Sequence, residues 1–332
     1  MTKVMVTGGA GFIGSNLCEE LINQGYEVMA FDNLSTGKGK NTISFGTHPN
    51  FRFFYGDVNE YKDISQAFCE FKPDYVFHYA AVLGVKRVVE QPLLVLLDIE
   101  GLQNIMKLSL EYAVKKVIFS SSSEAYGNMA ELPLREDTNR ELEHQTHSTS
   151  LYALVKIIGE KMMKVYNDKY KLPTVSLRFF NVFGPRQESS AYGFVVGVFI
   201  KQIIEGKNPT VYGDGYQTRD FIYVKDNIRL AIKAMLSDEV NGEVINIGIG
   251  RQTTILDLAE RLIRISGKDL KPEFLPALPS EIKYRSPDIS KMQRLLGKIE
   301  DNFDLYLKAT YDSYEHQANA VGVAQSENAD SV

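Results

Sequence analysis

Residues 4–15, VMVTGGAGFIGS, set Gly8, Gly11 and Gly14 between a short β-rich run and an amphipathic one. No other stretch restricts the fold as strongly. Small residues permit a tight strand-to-helix turn, and the amides at the helix N-terminus then offer donors to an anion. The spacing is that of a dinucleotide-binding turn, in which the backbone approaches a pyrophosphate closely. A glycine triplet alone is weak evidence, but the context strengthens it: the next strand-like run, EVMAF (27–31), ends at Asp32, eighteen residues after Gly14. A carboxylate there hydrogen-bonds a ribose 2′-hydroxyl and repels a 2′-phosphate, which selects NAD over NADP. Asp57, in YGDV, follows the third strand-like run and is placed to hold the adenine, with a plain turn aspartate as the alternative.

The pattern set by this turn continues through the first half. EVMAF, FRFFYG (51–56), YVFHYA (75–80), KKVIF (115–119) and TVSLRFF (174–180) are short, β-rich and end near Gly, Ser or polar residues. Helical patterns lie between them, among them SNLCEELINQG (15–25), which stops at Gly25, and LYALVKIIGEKMMKVYNDKY (151–170). Alternation of strand and helix predicts an α/β fold with a doubly wound parallel sheet. After about residue 180 Gly and Pro become frequent and elements shorten. Residues 1–180 are therefore expected to form a cofactor-binding domain, and 181–315 a smaller mixed α/β substrate domain interleaved with it. Residues 316–332 are expected to be a disordered tail.

With 332 residues, 44% of them hydrophobic, the chain can bury a large core. A net charge of -5 without a basic stripe leaves no footprint for nucleic acid. No apolar run reaches the length of a membrane span, and the opening shows no signal-peptide pattern, so no membrane association and a cytoplasmic location are expected. Cys18 and Cys69 read as reduced thiols. His78, His144 and His147 show no metal spacing, so no metal is expected.

YALVK (152–156) puts Tyr152 and Lys156 one helical turn apart. A free phenol ionises near pH 10, too high for a neutral-pH base. A neighbouring ammonium favours the phenolate, which can then take a proton from a sugar hydroxyl while hydride leaves the carbon. A surface pair is the default reading of Tyr-x-x-x-Lys. It gains weight from FSSSSEAYG (119–127), a serine run at the end of a sheet strand, where ligands of such sheets bind.

Taken together, TGGAGFIGS, FDNLSTGK, GDV, HYAA, SSSSEAYG, YALVK, RFFNVFGPRQ and VYGDGYQTRDFIYVKD resemble, in order and spacing, the extended short-chain dehydrogenase/reductase family. These are the NAD-dependent nucleotide-sugar epimerases, dehydratases and decarboxylases. The resemblance spans about residues 1–310 and implies a Rossmann domain with retained NAD. It implies cofactor contacts from Gly8, Gly11, Phe12, Ile13 and Gly14. Further contacts come from Asp32, Asn33, Ser35, Thr36 and Gly37, and from Asp57, Val58, Tyr79, Ala80 and Ala81. Ser122 would bond the substrate 4-hydroxyl and Tyr152 would be the base. Lys156 would support Tyr152 and hold the nicotinamide ribose. Asn181, Arg219 and Arg285 match positions holding the diphosphate of a nucleotide sugar, and an arginine fork suits phosphate oxygens. Val85 and Lys86 would face the hexose, although exposed cations at a helix start account for Lys86 and Arg87 about as well. Val155 departs from the serine that many relatives carry before the lysine.

The family's reactions start alike, with oxidation at C4, and diverge afterwards. Simple 4-epimerases need no further acid or base. The 4,6-dehydratases use an Asp-Glu pair where this chain has Ser123-Glu124, and hexuronate decarboxylases carry Ser-Glu and a segment like RSPDISK (285–291). The segment before Tyr152 looks more like an epimerase. Glu124 is thus either a C5 base or a carboxylate held by a partner residue. The leading expectation is 4-epimerisation of a UDP-linked sugar. Dehydration and decarboxylation are the alternatives, and a catalytically inactive NAD-binding scaffold is a remote one. The family often dimerises through two helices per subunit, here about 94–113 and 151–170, which predicts a homodimer built on a four-helix bundle.

Overall fold

The computed structural model describes residues 1–82, 88, 90–127, 131–138, 150–190, 193–277 and 282–329. Six strands of the first half, β1 (Lys3–Thr7), β2 (Glu27–Asp32), β3 (Phe51–Tyr55), β4 (Tyr75–His78), β5 (Lys116–Ser122) and β6 (Thr174–Phe179), stand where the short apolar runs predict them. The helices of this half are α1 (Phe12–Asn23), α2 (Tyr61–Phe71), α3 (Pro92–Glu111) and α4 (Ser150–Tyr170). From there the chain runs through β7 (Asn181–Phe183), α5 (Val195–Ile204), β8 (Thr210–Tyr212), β9 (Thr218–Arg219), β10 (Phe221–Tyr223) and α6 (Val224–Leu236). It ends in β11 (Glu243–Ile247), β12 (Thr253–Thr254), α7 (Ile255–Ser266), β13 (Glu273–Leu275), α8 (Ser290–Leu296) and α9 (Phe303–Ala329).

The main sheet has seven parallel strands in the order β11-β6-β5-β4-β1-β2-β3. Its edge strand β11 comes from the second half of the chain and pairs with β6 from Glu243↔Val175 to Ile247↔Phe179. The sheet is therefore completed by residues well beyond 180. Alternate residues on a strand face opposite sides, and the core divides accordingly. Val4, Val6, Val28, Ala30 and Ile118 join Leu17 and Leu21 of α1 and Leu230 and Ala231 of α6. Met5, Met29, Phe31, Val117 and Phe119 join α2, α3 and α4 through Ile64, Phe68, Ile105 and Met163. A parallel sheet covered on both faces needs apolar residues on both, which explains runs without polar alternation.

The remaining strands pair in twos: β7 with β10, β8 with β13, and β9 with β12. The last helix, α9, runs past His316, where the sequence predicts a tail, to Ala329. Alanine, glutamine and glutamate without proline carry enough helix propensity to extend a helix anchored upstream, where Phe303, Leu307 and Tyr311 are buried.

Candidate active site

A cavity of about 380 Å³ opens at the carboxyl ends of β1, β2, β4 and β5. One end is the glycine turn. Gly8 has φ +69, and a Cβ there would meet the backbone of Ala80 at 2.9 Å. A Cβ on Gly14 would lie 2.1 Å from the Gly8 carbonyl oxygen, so neither position tolerates a side chain. Gly11, at the cavity wall, meets only that same carbonyl, at 3.1 Å, and a Cβ would project into the space an anion needs. Phe12 and Ile13 complete this wall.

Asp32 lies at the end of β2. One carboxylate oxygen accepts the Ala10 N–H at 2.9 Å and the other the Leu34 N–H at 2.8 Å. Burial nevertheless raises its pKa, and these two amides oppose the rise. Asn33, Ser35 and Thr36 line the cavity beside it. Gly37 does not line it but packs on Asp32, where a Cβ would stand 2.7 Å from Oδ1. Asp57 accepts Asn33 Nδ2 at 3.0 Å and the Asn59 N–H at 2.9 Å, so the loops after β2 and β3 are tied together. Val58, Tyr79, Ala80 and Ala81 lie on the same wall.

The serine run divides its duties. Ser120 Oγ donates to the His78 carbonyl at 3.3 Å, and Ser121 Oγ donates to Glu160 at 2.6 Å. Ser122 Oγ accepts the Glu124 N–H at 3.2 Å, and its hydroxyl favours ionisation of Tyr152. Ser123 is buried at the cavity edge. Lys156 follows one turn after Tyr152 on α4, and its ammonium stands 5.4 Å from the Tyr152 ring centroid and 4.9 Å from that of Phe119. Burial raises the Tyr152 pKa, the Glu124 and Asp98 charges add to the rise, and the Ser122 hydroxyl counters it. Burial depresses Lys156 to about 8, while Asp98 and Glu160 pull it back up.

Glu124 lines the cavity with half its side chain exposed, and its carboxylate is paired with the buried guanidinium of Arg285. Arg285 also donates to the Gly127 carbonyl at 3.2 Å. Of the three residues expected at a diphosphate, only Asn181 lines the cavity. Arg285 is spent on Glu124, and Arg219 donates to the carbonyls of Thr218 and Ile282, each at 2.8 Å. Val85, Lys86, Arg87, His144 and His147 lie outside the described residues. Among the described residues, no three His, Cys, Asp or Glu side chains gather as metal ligands would. Sequence reasoning missed Asp98, a buried carboxylate of α3 at the cavity wall, because it sits in an apolar helical run without a motif.

This combination of a Rossmann-type sheet, a glycine turn with an acid after β2, and a Ser-Tyr-Lys constellation at the end of β5 defines a dinucleotide-dependent enzyme acting on a hydroxyl-bearing carbon. Residues 4–248 match the model of the NAD dependent epimerase/dehydratase family, and the chain belongs to that family. It is 36% identical over 301 residues to UDP-N-acetyl-alpha-D-glucosaminuronate decarboxylase of Bacillus cytotoxicus, covering 88% of this chain and 91% of that protein. Among solved structures it is similar to UDP-N-acetylglucosamine 4-epimerase from Methanobrevibacter ruminantium, with TM-score 0.88, 36% identity and coverage of 95% and 99%. It is also similar to UDP-glucuronic acid 4-epimerase from Bacillus cereus, solved with UDP-glucuronic acid and NAD, with TM-score 0.84, 35% identity and coverage of 96% and 100%. NAD is the cofactor of this family, and the side-chain-free cradle at Gly8, Gly11 and Gly14 with Asp32 beyond it fits that group. No described helix is long and apolar enough to cross a membrane.

Proposed function

We propose that this chain is a UDP-sugar 4-epimerase. The observation that carries the reading is the convergence of Ser122, Tyr152 and Lys156 on one wall of the cavity whose other end is the glycine turn. Tyr152, as phenolate, takes the proton of the C4 hydroxyl, and Ser122 holds that hydroxyl in line. When bound, NAD supplies the hydride acceptor for C4 and the donor that restores it. Rotation of the 4-keto sugar before C4 is reduced again would invert C4, and Tyr152 gives the proton back to the oxygen. Lys156 keeps its charge beside the phenolate throughout. Asn181 is assigned to the diphosphate; Arg285 reaches it only by releasing Glu124.

Decarboxylation of a UDP-hexuronate is the second reading, favoured by the Glu124–Arg285 pair beside Tyr152. Incubating the protein and added NAD separately with UDP-glucose, UDP-N-acetylglucosamine and UDP-glucuronate, with mass and proton NMR readout, separates the cases. Unchanged mass with an inverted C4 proton pattern is the expected result. Loss of carbon dioxide from the glucuronate selects decarboxylation, and loss of water selects dehydration with Glu124 as the C5 base. In either of the latter cases the epimerase reading falls.

The proposal includes a homodimer. Packed against each other, α3 and α4 expose Leu93, Leu94, Leu97, Leu154, Ile158 and Val165, an apolar patch of the kind that marks an interface. A four-helix bundle across a two-fold axis covers it. Light scattering at micromolar concentration is expected to give a dimer, and Leu97→Glu with Ile158→Glu a monomer. A monomeric wild type would remove this part of the proposal. The unpaired Cys18 and Cys69 support the assignment to a reducing cytoplasm.

A further inference from the structure

We infer that Asp98 is a positioning residue whose negative charge keeps Lys156 protonated, and hence able to support Tyr152, inside the buried site. Asp98 lies buried in the second turn of α3 and lines the same cavity as Tyr152 and Lys156, where α3 packs on α4: Val95 and Ile99 cluster with Val155 and Tyr152, and Leu102, one turn on, sits 3.3 Å from where a Cβ on Gly159 would stand. Its Oδ2 accepts the Val82 N–H at 2.9 Å, and among the described residues Oδ1 has no hydrogen-bond partner. The Lys156 ammonium likewise makes no hydrogen bond among the described residues and rests only over the Phe119 and Tyr152 rings. A buried ammonium without a hydrogen-bonding counter-ion sheds its proton unless an opposite charge stands nearby.

Among the described residues, four titratable groups bear on it. On α4, Glu160 is consumed by a two-pronged pair with Arg178, at 2.7 and 2.9 Å, and by Ser121 Oγ. On β4, His78 is buried and neutral, its ring bonded to Thr7 and its pKa depressed by burial and by the Lys156 charge. Tyr152 is the group Lys156 serves. Asp98 remains as the carboxylate that no described cation pairs with directly. Its own surroundings agree: burial raises its pKa to about 6, the Lys156 charge and the Val82 amide hold the rise back, and Asp57 adds to it. The charge is thus present at neutral pH and fades on mild acidification.

A purely structural role makes a different prediction. The Val82 N–H needs only an acceptor, which asparagine supplies with the same shape. Asp98→Asn therefore removes the charge and keeps the hydrogen bond. The test reads Lys156 directly, by trace acetylation with acetic anhydride across pH 6–10 and mass spectrometry of the peptide that carries it. This readout does not depend on which sugar is turned over, so failure of the UDP-sugar assay and failure of this inference are distinguishable. The Lys156 midpoint is expected to fall by about 1 pH unit in Asp98→Asn and to stay near the wild-type value in Asp98→Glu. In turnover with the sugar accepted by the wild type, the kcat/KM limb set by Lys156 is expected to move to lower pH by the same amount. A midpoint unchanged, or moved upward, in an Asp98→Asn protein that melts like the wild type overturns the inference. If Asp98→Asn does not fold, a midpoint in Asp98→Glu well below the wild-type value overturns it as well.

Discussion

Tyr152→Phe is expected to lower kcat by roughly 10³-fold, within the range that a positioned acid–base group contributes, while leaving the fold and NAD binding intact. The variant deletes one oxygen from a buried site and leaves the Ser122 hydroxyl with the Glu124 amide as its described neighbour. Turnover under steady state and NAD affinity by fluorescence are the two measurements. Loss of turnover with NAD affinity retained supports the assignment, and turnover within a few-fold of the wild type removes Tyr152 from the chemistry. The pH profile carries more detail. Tyr152 ionises well above its ordinary value and Lys156 below its own, at about 8. The two groups titrate as a coupled pair. Phenolate beside ammonium is then the minority form in the free protein, and the rate should rise with pH up to about the Lys156 value and then level off.

The second large effect concerns stability. Arg178 on β6 and Glu160 on α4 are both almost fully buried and form a bidentate pair, with Arg178 lying 4.5 Å from the Tyr126 ring centroid. Burial alone would lower the Arg178 pKa, but the hydrogen bonds and charge of Glu160 more than reverse this. Arg178→Met leaves a buried carboxylate without its cation, at a cost of about 3–5 kcal/mol. For a chain of this length that is a drop in Tm on the order of 5–10 °C. Replacing both residues, Arg178→Met with Glu160→Leu, should recover most of the loss, because a buried pair exchanged for apolar side chains is often close to neutral. Differential scanning calorimetry of the two variants decides it: a single variant as stable as the wild type would mean that the pair contributes little beyond filling space.

The parts of the molecule that were legible in the sequence are those where one residue type admits one geometry. Gly8 and Gly14 have no room for a Cβ, so the turn announces itself. Tyr152 and Lys156 share a helix face, so their proximity follows from helical spacing alone. Strand β11 was not anticipated, because EVINI lies among short elements and its partner β6 is more than sixty residues away. Arg285 was expected on the substrate, but a chain read linearly cannot show that the fold brings Glu124, 161 residues away, against it. The four serines looked like one polar strand end. Ser120, Ser121 and Ser122 reach three different neighbours, the His78 carbonyl, Glu160 and the Glu124 amide, while Ser123 is buried, which depends on how β4 and α4 pack on β5.

The return of the chain to the sheet at β11 also sets an order of events during synthesis. Until residue 247 has left the ribosome, β6 is an open edge with a row of unpaired amides and carbonyls, the kind of surface on which nascent chains associate wrongly. The glycine turn can be finished early, but the sheet beside Tyr152 cannot. A nascent chain released at residue 180 would carry the glycine turn and the loops after β2 and β3 and still lack the strand that closes its sheet.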